Sequence, residues 1–334
     1  MDKKVILSVR DVKKWFPVDD RLIGKPTSFI KAVDGVSFDV YENEALGLVG
    51  ESGCGKTTIS RSILGLTEPT SGSIVFDGNE LVGLNARELR KIRSDIQIVF
   101  QDPYSSLSPR MRVIDTIMEP MEIQKIGTRA ERIEKAKDLL EVVGLERRFA
   151  YRYPHEFSGG QRQRIGIARV LAADPKFMIC DEPVSALDVS VRSQILNLIS
   201  QLKREFGLTV LFISHDLSVV EYICDRIVVM SLGTVLEVAT REELYKQPAH
   251  PYTQALLSAI PLPDPRANRE RIILEGETPS PMDPPAGCRF CSRCRYATDL
   301  CGQEEPSPME IAPGHQVYCH RYREDFKQSL PKEM

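Results

Sequence analysis

Gly50-Glu51-Ser52-Gly53-Cys54-Gly55-Lys56-Thr57 is the stretch whose reading decides the fold. It fits G-x-x-x-x-G-K-S/T, with the apolar run Ala45–Val49 before it and the helix-like stretch Thr57–Leu66, including Thr58, after it. A strand, a glycine-rich loop and a helix in that order form a phosphate cradle. The glycines let successive backbone N–H groups converge on phosphate oxygens at a helix amino terminus. In such a loop Lys56 reaches the β- and γ-phosphates, and the Thr57 hydroxyl ligates magnesium.

Outward from the loop, the apolar runs Asp95–Phe100, Phe177–Cys180 and Thr209–Ile213 alternate with helix-like stretches at Arg132–Val143 and Gln161–Ala173. Buried runs alternating with helices imply an α/β domain on a mostly parallel sheet. The opening segment and Ser73–Phe76 read as an antiparallel piece at one edge. The run Phe177–Cys180 ends in Asp181-Glu182, and a carboxylate at a buried strand end is where this kind of fold holds magnesium. Asp181 takes that role, while Glu182 is placed to polarise an attacking water as general base.

Phe157-Ser158-Gly159-Gly160-Gln161-Arg162-Gln163-Arg164, about twenty residues before the acidic pair, resembles the signature motif of ABC ATPases. Ser158 and the two glycines would open a helix whose free N–H groups face an anion. The resemblance implies that this anion is a γ-phosphate held by an opposing cassette, so that a second cassette, identical or homologous, completes each site. It also implies roles for Gln101 as magnesium sensor and coupling residue, for Ser185-Ala186-Leu187-Asp188 as a dimer-interface loop, and for His215 as the switch histidine on the γ-phosphate. Phe16, or less favourably Trp15, would stack on adenine. The fold implied is an ABC-type nucleotide-binding domain: a mixed-sheet core, an antiparallel edge subdomain and a helical signature subdomain.

The loop Asp102-Pro103-Tyr104-Ser105-Ser106-Leu107-Ser108-Pro109, the stretch Gln247–Leu257 and Gly276-Glu277-Thr278-Pro279-Ser280-Pro281 are similar to the dipeptide/oligopeptide permease ATPases. Membership implies ATP hydrolysis that energises peptide import through two transmembrane permease subunits, supplied by an extracytoplasmic solute-binding protein. Nickel importers share the architecture. Soluble ABC ATPases acting on nucleic acid or ribosomes fit less well. Only about a hundred residues separate Thr57 from Ser158, with no sustained heptads for a coiled coil, and one cassette is present rather than two.

A net charge of -3 gives no global pull towards nucleic acid. No apolar segment is long enough to span a bilayer, and Val5–Val9 is too brief for a signal peptide. The expected location is therefore the cytoplasmic face of the cell membrane, reached through partners.

Near Pro248 the composition changes. Pro251, Pro261, Pro263, Pro265, Pro279, Pro281, Pro284 and Pro285 suggest an extended arm, dividing the chain into a cassette at 1–250 and an extension at 251–334. Of the eight cysteines, Cys288, Cys291, Cys294, Cys301 and Cys319 crowd that extension. Thiols so spaced in a reducing compartment read first as a metal site. Family resemblance falls on Cys288, Cys294, Cys301 and Cys319, with Cys291 as an alternative ligand. Cysteine-only ligation suits a 4Fe–4S cluster or structural zinc, and the tight run of three favours the cluster. His315 and His320 are expected to be bystanders.

Overall fold

The computed structural model describes residues 4–18, 28–104, 106–261, 271–282 and 284–323; Ser105, Pro263 and Pro265 of the segments above lie outside them. The first strands are β1 (Val5–Pro17), β2 (Phe29–Tyr41), β3 (Ala45–Val49), β4 (Ser71–Phe76), β5 (Asn79–Glu80) and β6 (Ile96–Val99). After them come β7 (Phe177–Asp181), β8 (Thr209–Ser214), β9 (Arg226–Ser231), β10 (Thr234–Thr240), β11 (Met309–Ala312) and β12 (His315–Val317). The helices are α1 (Lys56–Ile63), α2 (Ala86–Ile92), α3 (Val113–Ile123), α4 (Arg129–Val142) and α5 (Gly159–Ala172). They continue with α6 (Val189–Phe206), α7 (Leu217–Ile223), α8 (Arg241–Lys246), α9 (Pro251–Ser258) and α10 (Asp299–Gln303).

Two compact units divide these residues. One carries Val40–Ala45 and Gly83–Ile213. Its strands β6, β7 and β8 run parallel, with Ile96 opposite Phe177 and Asp181 opposite Ile213. All of β7 and β8 is buried, as continuous apolar runs in parallel strands require. Helices α3, α4 and α5 pack on one another, and α3 buries Val113, Ile117 and Met121. Helix α6 stops at Gly207, whose left-handed backbone (φ 61°) closes the helix as glycine commonly does.

The other unit carries Val5–Asp39, Leu46–Val82 and the described residues from Ser214 onward. One of its sheets is antiparallel in the order β2-β1-β4-β5, with Leu7 opposite Phe76. In the second, β3 is parallel to β9, and β10, β12 and β11 follow as antiparallel neighbours. The predicted strands and the antiparallel edge piece are thus present.

The proline-rich segment departs from the extended arm expected of it, because α9 begins at Pro251 itself. Proline is compatible with a helix's first turn, where its missing N–H leaves no bond unmade. His250 completes the start by accepting the Tyr252 N–H on Nδ1 at 3.1 Å. Burial pushes the His250 pKa down to about 4, which keeps that nitrogen an acceptor. No helix among the described residues is long and apolar enough to cross a membrane.

Candidate nucleotide site and thiol cluster

The phosphate loop turns out of β3, whose five residues are all buried, into α1. Gly55 has φ +103°, and a Cβ there would lie 2.2 Å from the Ala32 carbonyl oxygen; a Cβ on Gly50 would meet the Met230 carbonyl at the same distance. The loop is thus clamped by backbone on two sides, and only glycine fits. Lys56 is buried, with Nζ donating to the Gly50 and Glu51 carbonyls at 2.8 and 2.9 Å and lying 3.7 Å from Cys54 Sγ. Burial raises the Cys54 pKa despite the neighbouring ammonium, so Cys54 is an inert packed thiol. Ser52, Gly53 and Thr57 are exposed and Thr58 half-buried, leaving the cradle open to a ligand.

The same unit holds the expected switch histidine and the aromatics. His215 is exposed and directly follows β8. Trp15 Nε1 donates to Asp34 at 3.0 Å, and Lys31 Nζ lies 4.9 Å from its ring. Phe16 is more open, at 38% exposure, with Lys14 over its ring at 5.0 Å.

In the first unit, Asp181 ends β7 and is buried. The chain then turns sharply, with Glu182 at φ +46° and its N–H donating to the Ile213 carbonyl at 3.0 Å. A non-glycine residue in that region costs energy that the surroundings must repay, and such positions cluster at functional sites. The turn brings the Glu182 carboxylate to the Gln101 side chain, whose Nε2 donates to Oε2 at 3.1 Å. Two candidates 81 positions apart are therefore hydrogen-bonded.

Ser158 caps α5 in a capping box with Gln161, each side chain accepting the other's backbone N–H. Gly159 and Gly160 form the first turn, and a Cβ on Gly160 would sit 2.3 Å from Val191 Cγ1. Asp188 caps α6 with no side-chain cap bond, so its carboxylate is exposed.

Cys288, Cys291, Cys294, Cys301 and Cys319 line one enclosed space with His250, Phe290, Tyr296 and His320. Among the described residues no group of three or more His, Cys, Asp or Glu is arranged to hold a metal ion. The ligand set expected of Cys288, Cys294, Cys301 and Cys319 is therefore not formed here. Desolvation, with the neighbouring thiols adding to it, pushes Cys288 up to about 12 and Cys319 up to about 11, so both sulfurs are protonated and pack as small apolar groups. The donor chemistry still suits a soft metal, since the sulfurs face one space with no carboxylate beside them. Neither tail histidine is free to join them through Nε2. His315 bonds buried Glu237 at 2.7 Å, and His320 bonds the Glu304 carbonyl at 2.9 Å.

Two contacts of the tail had no signal in the sequence. Arg293 makes a bidentate pair with the Glu51 carboxylate at 2.8 and 2.9 Å, and the Tyr252 hydroxyl accepts the Glu51 N–H at 3.0 Å. Arginine between cysteines reads as a solvated charge, and nothing local ties it to the phosphate loop.

Residues 33–185 match the family model described as ABC transporter, and residues 236–301 match that described as oligopeptide/dipeptide transporter, C-terminal region. The chain is 52% identical to the oligopeptide transport ATP-binding protein AppF of Bacillus subtilis, over 96% of this chain and 98% of that one. It is 49% identical to the oligopeptide transport ATP-binding protein OppF of Escherichia coli, over 95% and 96%. Among solved structures it is similar to the dimeric post-hydrolysis state of the ATP-binding cassette MJ0796 bound to ADP and Pi, with TM-score 0.63, 32% identity and coverage of 70% of this chain and 98% of that one. It also resembles cbiO1 of Clostridium perfringens, part of the cbiONQ transporter complex, with TM-score 0.64, 28% identity and coverage of 73% and 92%. A phosphate loop, an acidic strand end, a capped signature helix and near-full-length identity to such proteins lead to one conclusion: the chain belongs to the ABC transporter family of ATPases, in its oligopeptide/dipeptide branch.

Proposed function

We propose that the chain hydrolyses ATP as one of two paired cassettes and so drives the import of di- and oligopeptides through two membrane permease subunits. An extracytoplasmic solute-binding protein would deliver the peptide, and the cassettes would sit on the cytoplasmic face of the membrane. The observation that carries the reading is identity near one half along almost the whole length of oligopeptide transport ATP-binding proteins, tail included.

The residue roles rest on chemistry for the phosphate loop and the acidic pair, and on the family resemblance for the others. Lys56 and the loop N–H groups take the phosphates, and Thr57 with Asp181 would hold magnesium, which neutralises charge on the phosphate oxygens. Glu182 accepts the proton of the attacking water; Gln101 fixes the carboxylate's orientation through the bond already present. His215 would contact the γ-phosphate, Ser158, Gly159, Gly160 and Gln161 would serve the nucleotide of the opposing cassette, and Phe16 would carry the adenine. Binding closes the pair and hydrolysis reopens it, moving the attached subunits.

The test is ATPase activity of the chain assembled with its permease subunits in vesicles. A peptide-loaded binding protein is expected to stimulate hydrolysis, and Glu182→Gln to retain ATP while losing turnover about 10²–10⁴-fold. Stimulation by a nickel-loaded binding protein instead would move the solute and leave the machine. Wild-type turnover in Glu182→Gln would remove that residue as base.

For the tail we propose that Cys288, Cys294, Cys301 and Cys319 hold a 4Fe–4S cluster, Cys291 standing as alternative ligand and zinc as alternative metal. Support comes from the five cysteines that line one enclosed space, with no carboxylate among its lining residues. Anaerobic purification with iron, sulfide and zinc assays separates the two, and a metal-free folded chain would refute both.

A further inference from the structure

We propose that Arg293 and Tyr252 of the carboxyl-terminal segment are positioning residues for the phosphate loop, holding the Glu51 side of the cradle in the form that accepts ATP. Glu51 is the second residue of the loop, and its carboxylate is an anion beside a site built for polyphosphate. Left uncompensated, it repels the ligand. Arg293 answers both carboxylate oxygens, at 2.8 and 2.9 Å, from a side chain only 10% exposed. A planar guanidinium in that fork geometry neutralises the charge and fixes its direction, which a lysine does not reproduce.

Tyr252 acts on the backbone. Its hydroxyl accepts the Glu51 N–H at 3.0 Å, and its ring is fully buried against Phe290 at 5.4 Å between centroids. Phe290 also meets the His250 ring at 5.6 Å. The hydroxyl therefore stands on a buried cluster of tilted and edge-on rings, and that packing fixes the peptide that begins the loop.

The same segment reaches the strand behind the loop. Buried Arg289 pairs with half-buried Asp34, which also holds Trp15, and the Pro281 carbonyl accepts the Lys31 N–H at 2.9 Å. Ala32, between those two β2 residues, is the one whose carbonyl abuts Gly55. The tail thus supports the loop directly at Glu51 and indirectly through β2.

This rests on the reading of the phosphate loop as the ATP site, so the experiment carries a control for it. ATP affinity is measured by titrating the full-length chain with a fluorescent ATP analogue, and KM and kcat are measured in the assembled transporter. Lys56→Ala is expected to abolish binding; retained binding would overturn the site itself. With that control in place, Arg293→Ala and Tyr252→Phe are expected to raise Kd and KM about five- to twentyfold while kcat changes less than about twofold, the pattern of lost ground-state binding. Arg293→Lys should recover only part of the affinity. Glu51→Gln added to Arg293→Ala should restore affinity to within about threefold of wild type, because the repelling charge is gone. Arg323→Ala, which breaks an exposed tail pair with Glu304, should change nothing. Tyr252→Phe preserves the ring packing, so unchanged Kd in that variant together with no rescue by Glu51→Gln would overturn the proposal.

Discussion

At the residue scale, Gly55→Ala adds a methyl 2.2 Å from the Ala32 carbonyl at a left-handed φ, so a loss of about 2–4 kcal/mol is expected in denaturant unfolding. That strictness is why short local patterns are legible in the sequence. Lys56, Asp181, Glu182 and Ser158 sit in runs whose spacing fixes the backbone around them, and each stands at the expected loop, strand end or helix cap. Illegible were residues acting across long separations. Arg293 lies 242 positions from Glu51, and Glu237 lies 78 from His315. Glu237 is a fully buried carboxylate that accepts the Ala249 and His250 N–H groups and the His315 ring. His315→Ala leaves one oxygen a partner short of its native set and is expected to cost about 1–3 kcal/mol, read as a lowered unfolding midpoint. Wild-type stability would mean the ring adds nothing to that site.

At the element scale, long apolar runs identified β3, β7 and β8, because strands buried on both faces leave no alternation to misread. Helix ends were less legible: α1 ends at Ile63 although the apolar pattern runs on to Leu66. The turn there closes with the Gly65 N–H on the Ser62 carbonyl. Helix α9 carries little signal of its own, because it lies in a run of prolines and its cap is a histidine rather than serine or aspartate. The hairpin of β11 and β12 carries as little, since strands of four and three residues hold too short a pattern. Contact between α5 and α6 gives a separate prediction. Gly160→Ala places a methyl 2.3 Å from Val191 Cγ1 and should destabilise by about 1–3 kcal/mol. Adding Val191→Ala vacates that space, so the double variant should melt above the single one. Additive losses would mean that the clash is relieved elsewhere.

At the scale of the whole molecule, the cassette was legible and the manner of attachment of its tail was not. Composition marked a change near residue 250, yet no local signal says that His315–Val317 extends the sheet beyond β10. The half-site proposed at Ser158 calls for a partner, so light scattering of Glu182→Gln with magnesium and ATP is expected to report a dimer, either of this chain or one-to-one with a homologous cassette. ADP should leave monomers, and Ser158→Arg should block pairing. A monomer under all conditions would reject the two-cassette reading. The strand β12 has a further consequence. It pairs with β10 at Glu237 and Val238, and beyond it lies the short β11 with Glu310 on it. A product ending before residue 309 would uncover the edge of β10 at Glu237 and Val238, in a seven-residue strand with four apolar residues that is buried in the native chain at every position but Thr240. Such an edge templates pairing with other chains. A premature stop in this tail would therefore yield a polymerising species that burdens the cell's proteases and chaperones, detectable as thioflavin-positive sedimenting material, where the intact chain stays in the supernatant.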